Sequence, residues 1–148
     1  MERSLVLVKP DGVQRGLIGE VITRLENRGL RLVAAKFLQV SPDLAKQHYA
    51  IHDGKPFFDG LITFITSSPV MAMVWTGPDA IAAIRQTMGK TRGTEADPGS
   101  IRADFGLQNK KNLTHASDSS ENAEIEIALW FKPEELVEWK RCTEDWSY

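Results

Sequence analysis

Leu5 to Val8 form an unbroken apolar run closed by Lys9, Pro10, Asp11 and Gly12. A continuous run of this kind, stopped by proline and glycine, reads as a central strand ending in a turn. A central strand needs partners on both sides and helices to cover it, and the rest of the chain is patterned to supply them. Ile18, Val21, Ile22 and Leu25 recur at helical spacing, and Gly29 ends that pattern. Leu30 to Val40 reads as a second strand. Ser41, Pro42 and Asp43 offer an N-cap, a first-turn proline and a first-turn acid for a short helix running to about Ala50. Phe58, Leu61, Ile62 and Ile65 mark another helix, Val70 to Trp75 a third strand, and Ile81, Ile84 and Met88 a helix stopped by Gly89.

No periodicity runs from Gly89 to Asn112, a length of loop that is usually functional or disordered. Lys90, Arg92, Arg102, Lys110 and Lys111 outnumber Glu95, Asp97 and Asp104 there, which suggests an anion-binding loop. Residues 112–117 read as a fourth short strand. Asp118 or Ser119 can then cap a helix whose inner face is Ala123, Ile127 and Trp130. Strands separated by helices in this order suit either a ferredoxin-like α+β sandwich or a parallel α/β sheet, and the pattern alone leaves both open.

A length of 148 residues is that of one domain. The formal net charge of -2 disfavours dedicated nucleic-acid binding. The apolar run at the N-terminus is too short for a signal peptide or a membrane span, and the single Cys142 cannot form an internal disulfide. These features lead to an expectation of a soluble, cytoplasmic protein. Gly89, Lys90 and Thr91 match the tail of a P-loop, but Ile84 stands where its first glycine belongs; no GxGxxG occurs. His48 and His52 have no partners at zinc-ligand spacing and read as surface or packing residues.

His115 lies between small polar residues in NLTHASD, directly before the last helical pattern. Imidazole is largely neutral, and so nucleophilic, near neutral pH. On a strand it shares a face with Leu113 and Ser117, while helical spacing brings Glu126 to the edge of the helix's inner face, in a position to orient one ring nitrogen. Spacing alone leaves open a second reading, a histidine hydrogen-bonded at a strand end. Lys9, Arg85 and Arg102, with a hydroxyl such as Thr91, would suit a γ-phosphate if they converged.

The motifs VKPDGVQRGLIGE at 8–20, HY at 48–49, KPFFDGL at 55–61, PGSIRADF at 98–105 and NLTHASDS at 112–119 closely resemble those of nucleoside diphosphate kinases, across nearly the whole chain. The resemblance implies a ferredoxin-like core of four antiparallel strands covered by helices, and a ping-pong transfer of a γ-phosphate from a triphosphate such as ATP to a nucleoside diphosphate. It implies His115 as the nucleophile, phosphorylated on its pros nitrogen, with Glu126 and Ser117 orienting it and Tyr49 close by. Lys9, Arg85, Thr91, Arg102 and Asn112 match positions that hold phosphates or the sugar, and Phe57 and Leu61 match a clamp under the base. Mg2+ would arrive on the nucleotide phosphates. Stacking on Phe57 reads a π-face that every base has, so base tolerance follows.

Three residues depart from the family pattern. Ala116 stands where glycine is common, adding a methyl group beside the nucleophile. Asn109 replaces an apolar residue facing the base, which would weaken base affinity, and Gly93 replaces a proline in the loop that helps assemble subunits, where a flexible residue would weaken assembly. The C-terminal segment with Trp139, Trp146 and Tyr148 has the length found in hexameric relatives, so a hexamer is favoured over a tetramer. A scaffold protein that kept the fold and lost catalysis is the competing reading; against it, every expected catalytic position is filled.

Overall fold

The computed structural model describes residues 1–148. Four strands form one antiparallel sheet in the order β2-β3-β1-β4, with β1 at Glu2–Val8, β2 at Arg31–Leu38, β3 at Val70–Gly77 and β4 at Thr114–Ala116. β1 pairs with β3 along its whole length, from Glu2 opposite Gly77 to Val8 opposite Met71. Its other edge holds β4, with Leu7 opposite His115. Because β1 and β2 each run antiparallel to β3, they are parallel to each other with β3 between them, the split arrangement of the ferredoxin-like α+β class. The parallel-sheet alternative is thereby excluded.

Helices cover both faces. Leu5 and Leu7 of β1 enter one core cluster with Ala123, Ile127 and Trp130 of α7 (Ser120–Trp130) and Ala45 of α3 (Pro42–His48). Val6 and Val8 enter the other, with Val21 and Leu25 of α2 (Ile18–Asn27) and Ile84 and Met88 of α5 (Ala80–Met88). Antiparallel sheets often wet one face and then alternate in sequence. Here neither face is wet, which is why the run at Leu5–Val8 is continuous, with all four residues fully buried.

The local signals act as expected at four helix ends. Ser41 Oγ accepts from the Leu44 amide at 3.1 Å to cap α3, and of the two candidates for α7 it is Ser119 whose Oγ caps, accepting from Asn122. Gly29 and Gly89 follow their helices at φ +98 and +86, conformations that favour glycine.

Other boundaries differ. KPDG is not a bare turn: Pro10–Gln14 make a short helix, α1, started by a proline that needs no amide partner. The second strand is shorter than Leu30–Val40, and α3 stops at His48, followed by a 3₁₀ turn at Ala50–His52. α4 spans Phe58–Ile65. The segment from Gly89 to Asn112 is not structureless, since Gly93–Glu95 form a 3₁₀ turn and Ile101–Phe105 a helix, α6, capped by Ser100 and anchored by buried Ile101. Single-turn helices have too few residues to show periodicity, so sequence spacing misses them.

Gly93 is not a flexible loop residue. It is buried, and a Cβ built on it would lie 2.2 Å from the Gly106 carbonyl oxygen and 2.4 Å from that of Arg102. Main-chain atoms cannot give way as a side-chain tip can. Gly93→Ala is therefore expected to destabilise the protein by about 1–3 kcal/mol through overpacking, read as a lowered midpoint in thermal or urea unfolding.

Candidate functional site

The register of β4 decides where His115 points. Cross-strand partners share a face, and Leu7, its partner, faces the α3/α7 side. His115 therefore faces the same helices, and its Nε2 lies 2.6 Å from Glu126 Oε2 of α7. A carboxylate only accepts, so Nε2 carries the proton and Nδ1 keeps its lone pair. Burial works to raise the Glu126 carboxyl. The hydrogen bond and charge of His115, helped by Ser117 and His48, outweigh it and hold Glu126 below the ordinary carboxylate range. The acceptor thus stays ionised. Ser117 is fully buried, and its Oγ also accepts from the Leu5 amide at 3.0 Å, tying the end of β4 to β1.

Leu113 does not share this face. Its φ of +75 turns the chain just before β4, and its side chain enters the α2/α5 cluster. Such a conformation is costly for a leucine, and full burial of the side chain compensates. The Ala116 methyl, expected beside the nucleophile, belongs to that cluster too, on the far side of the sheet from the imidazole. The added carbon is core packing there.

His48, read as a surface or packing residue, packs inside the site. Its side chain is 2% exposed, its ring meets His115 edge to face at 4.8 Å, and its Nδ1 accepts from Trp130 Nε1 at 3.1 Å. Burial, and then the nearby charges of His115 and Lys9, push its pKa down to about 3 against the pull of Glu126. It is therefore neutral, and its 3.9 Å approach to Glu126 Oε2 is not an ion pair. Tyr49 packs on His48, and burial beside Glu126 pushes its phenol up to about 12, so the hydroxyl keeps its proton. Ligand atoms of His48, His115 and Glu126 lie within 4.8 Å of one another. Trp130 already occupies Nδ1 of His48, and the bond from His115 Nε2 occupies Glu126 Oε2. The one signal for His48 in the sequence was its place in the HY pair.

The expected cations divide into two sets. Lys9 Nζ donates to Asn112 Oδ1, and Asn112 Nδ2 donates to the Thr91 carbonyl at 3.2 Å. Arg102 lies alongside, donating to the carbonyls of Asn112, Gly89 and Thr114. Burial pushes Lys9 down to about 8 and Arg102 to about 10; Asp11 opposes the fall in both, while Arg102 adds to it for Lys9 and Arg85 adds to it for Arg102. Arg85 is exposed and lines a cavity of about 490 Å³ with Lys90, Thr91, Arg92, Glu95 and Asn109. This wall has no hydrophobic residue, so it suits an anion with hydroxyls. Phe57, half exposed, and Leu61, one turn later on α4, lie outside that lining.

Burial of His48 makes the stability of the fold depend on pH. Its folded pKa of about 3 lies below the ordinary 6.5, so on acidification the unfolded chain takes up the proton first. Its stabilising contribution is complete above pH 6.5 and is lost as pH falls toward 3. The thermal midpoint of the wild type should drop between pH 6.5 and 5, and His48→Gln should flatten that slope whatever it does to the baseline.

Comparison with known proteins agrees with this architecture. The sequence model of the family described as nucleoside diphosphate kinase matches residues 2–136. Nucleoside diphosphate kinases of Symbiobacterium thermophilum and Roseiflexus sp. (strain RS-1) are 60% and 56% identical over 148 residues, covering all of this chain and 98% and 99% of those proteins. The crystal structure of a nucleoside diphosphate kinase family protein from Babesia bovis superposes with a TM-score of 0.97 at 51% identity over the full length of both. The structure of a halophilic nucleoside diphosphate kinase from Halobacterium salinarum in complex with CDP gives a TM-score of 0.96 at 54% identity, covering 99% of this chain and 98% of that one. The chain belongs to the nucleoside diphosphate kinase family, enzymes that pass a phosphate from nucleoside triphosphates to nucleoside diphosphates through a phosphohistidine intermediate.

Proposed function

We propose that His115 is the residue phosphorylated, at Nδ1, and that residues 1–148 act as one domain in this reaction. The observation that carries the reading is the 2.6 Å bond from Nε2 to Glu126, which leaves Nδ1 as the free nucleophile. Its lone pair attacks the γ-phosphorus, the bond from phosphorus to the bridging oxygen breaks, and the diphosphate leaves. As the ring becomes cationic, ionised Glu126 stabilises it. In the second half-reaction a terminal oxygen of another diphosphate attacks the same phosphorus, and the bond from phosphorus to nitrogen breaks.

Lys9, Arg85 and Arg102 supply positive charge to the phosphates, Thr91 and Asn112 donors and acceptors to phosphate and sugar, and Tyr49 a neutral hydroxyl near the imidazole. Phe57 and Leu61 hold the base by stacking and apolar contact, with little readout of its edge. ATP and other nucleoside di- and triphosphates are the partners. Mg2+ fits as a passenger of the phosphates: the cavity wall offers Arg85, Lys90 and Arg92 against the single carboxylate of Glu95, a lining for anions and not for a bare cation. Bound there, it would neutralise charge on the transferring phosphate.

The assembly is a hexamer of identical chains, supported by C-terminal aromatics that the subunit leaves uncovered: Trp146 is 91% exposed. No helix is long and apolar enough to cross a membrane, and a cytoplasmic location is in keeping with a single, exposed, unpaired cysteine.

Incubation with γ-labelled ATP and magnesium should give an acid-labile, alkali-stable phosphoprotein, and His115→Ala should abolish labelling while nucleotide affinity changes by only a few fold. A folded wild type that takes no label overturns the assignment. Loss of labelling and binding together in His115→Ala would show a structural role instead.

A further inference from the structure

Asp11 has no part in the chemistry above, yet its surroundings are unusual. It stands in the first turn of α1, and its Oδ2 accepts from the Leu113 amide at 3.0 Å. Its Oδ1 is buried with no hydrogen-bond partner. An unpartnered buried carboxylate oxygen is costly unless charge nearby offsets it. The charges that do so are Lys9 and Arg102, both partly buried, with Arg102 lowering the tolerance for positive charge at Lys9.

We propose that Asp11 is a positioning residue that acts through Lys9: its carboxylate, pinned by the Leu113 amide, is the fixed counter-charge that keeps the ammonium cationic beside Arg102 before nucleotide arrives. The inference rests on the reading of those two residues as phosphate-holding. Around Lys9 the charged and titratable groups are Asp11 of α1, Arg102 of α6 and His48 of α3; around Arg102 they are Asp11 and Arg85 of α5. Asp11 is the one negative group among them. With Lys9 already pushed down to about 8 by burial, an uncompensated lysine would be largely neutral at working pH and no ligand for phosphate.

The geometry suits a counter-charge better than a contact pair does. Lys9 Nζ donates to Asn112, not to Asp11, so an incoming phosphate breaks no ion pair to engage it. Held by a main-chain amide, Asp11 cannot follow the ammonium outward. The same hydrogen bond, together with the Lys9 amide donating to the Leu113 carbonyl at 2.8 Å, secures the left-handed Leu113 two residues before His115. A neutral side chain that still accepts from Leu113 therefore separates charge from anchoring.

Asp11→Asn does this, and the nucleotide-free protein can be read without activity by following the ¹³Cε resonance of Lys9 against pH, assigned by its loss in Lys9→Arg. The Lys9 midpoint should fall by about 1 unit or more in Asp11→Asn and return toward the wild-type value in Asp11→Glu. The alkaline limb of kcat/KM should move down with it, and that shift should vanish when Lys9→Arg is added. A Lys9 midpoint unmoved by Asp11→Asn overturns the proposal, as does a drop in kcat/KM that is uniform across pH. If the asparagine variant does not fold, Asp11→Ser is titrated in its place with the same two outcomes. Failure of the wild type to transfer phosphate would instead strike the phosphate-site reading, which the titration does not depend on.

Discussion

β1 fixes Lys9 and His115 in place, because both its faces and both its edges are occupied. β3 and β4 hold its edges, two helical layers cover its faces, and Leu5 to Val8 are fully buried between them. A strand so confined has no freedom to slip, since a one-residue shift would exchange the side chains of its two faces. Lys9 at its end and His115 opposite Leu7 inherit that fixed register. β4 is only three residues long and would be a weak strand alone, but Ser117 locks it by exchanging bonds with Leu5: the Leu5 amide donates to Ser117 Oγ, and the Ser117 amide donates to the Leu5 carbonyl.

From this frame a line of neighbours runs out of the core into the chemistry. Trp130, in the apolar cluster under α7, donates to His48; His48 packs on His115; His115 bonds to Glu126. The line passes from a fully apolar setting to one where His115 is 27% exposed and Glu126 18%. Along it only Glu126 carries charge. The neutral His48 supplies shape and a hydrogen-bond acceptor between the core and the ionised carboxylate, so the imidazole is held by packing on one side and by charge on the other.

What could be read in the sequence depended on the range of the interaction. Helices long enough to repeat, and the pairing of His115 with Glu126, were legible because period and cap are local properties. The two short helices α1 and α6 were not, having no full period to display. Leu113 was assigned to the wrong face because its left-handed backbone reverses the alternation, and leucine gives no warning of positive φ. Ala116 lies on the face opposite His115 because neighbours along a strand alternate. His48 and Asp11 remained obscure because their roles come from partners far along the chain: Trp130 for one, Leu113 and Arg102 for the other. Gly93 misled in the opposite sense, a residue of great intrinsic freedom being held in a space that admits no side chain.

Lys9 and Arg102, both partly buried, are held in different ways, and this bears on which residues could replace them. Arg102 directs Nε, Nη1 and Nη2 to three main-chain carbonyls, from Asn112, Gly89 and Thr114, joining three segments through one planar group. Lysine carries the same charge but is a single point on a flexible stem, and cannot span those three oxygens. Lys9 makes one side-chain bond, to Asn112. Substitutability at the two positions is therefore governed by different properties: at position 102 the shape of the guanidinium is irreplaceable, and at position 9 the requirement is a compact charge.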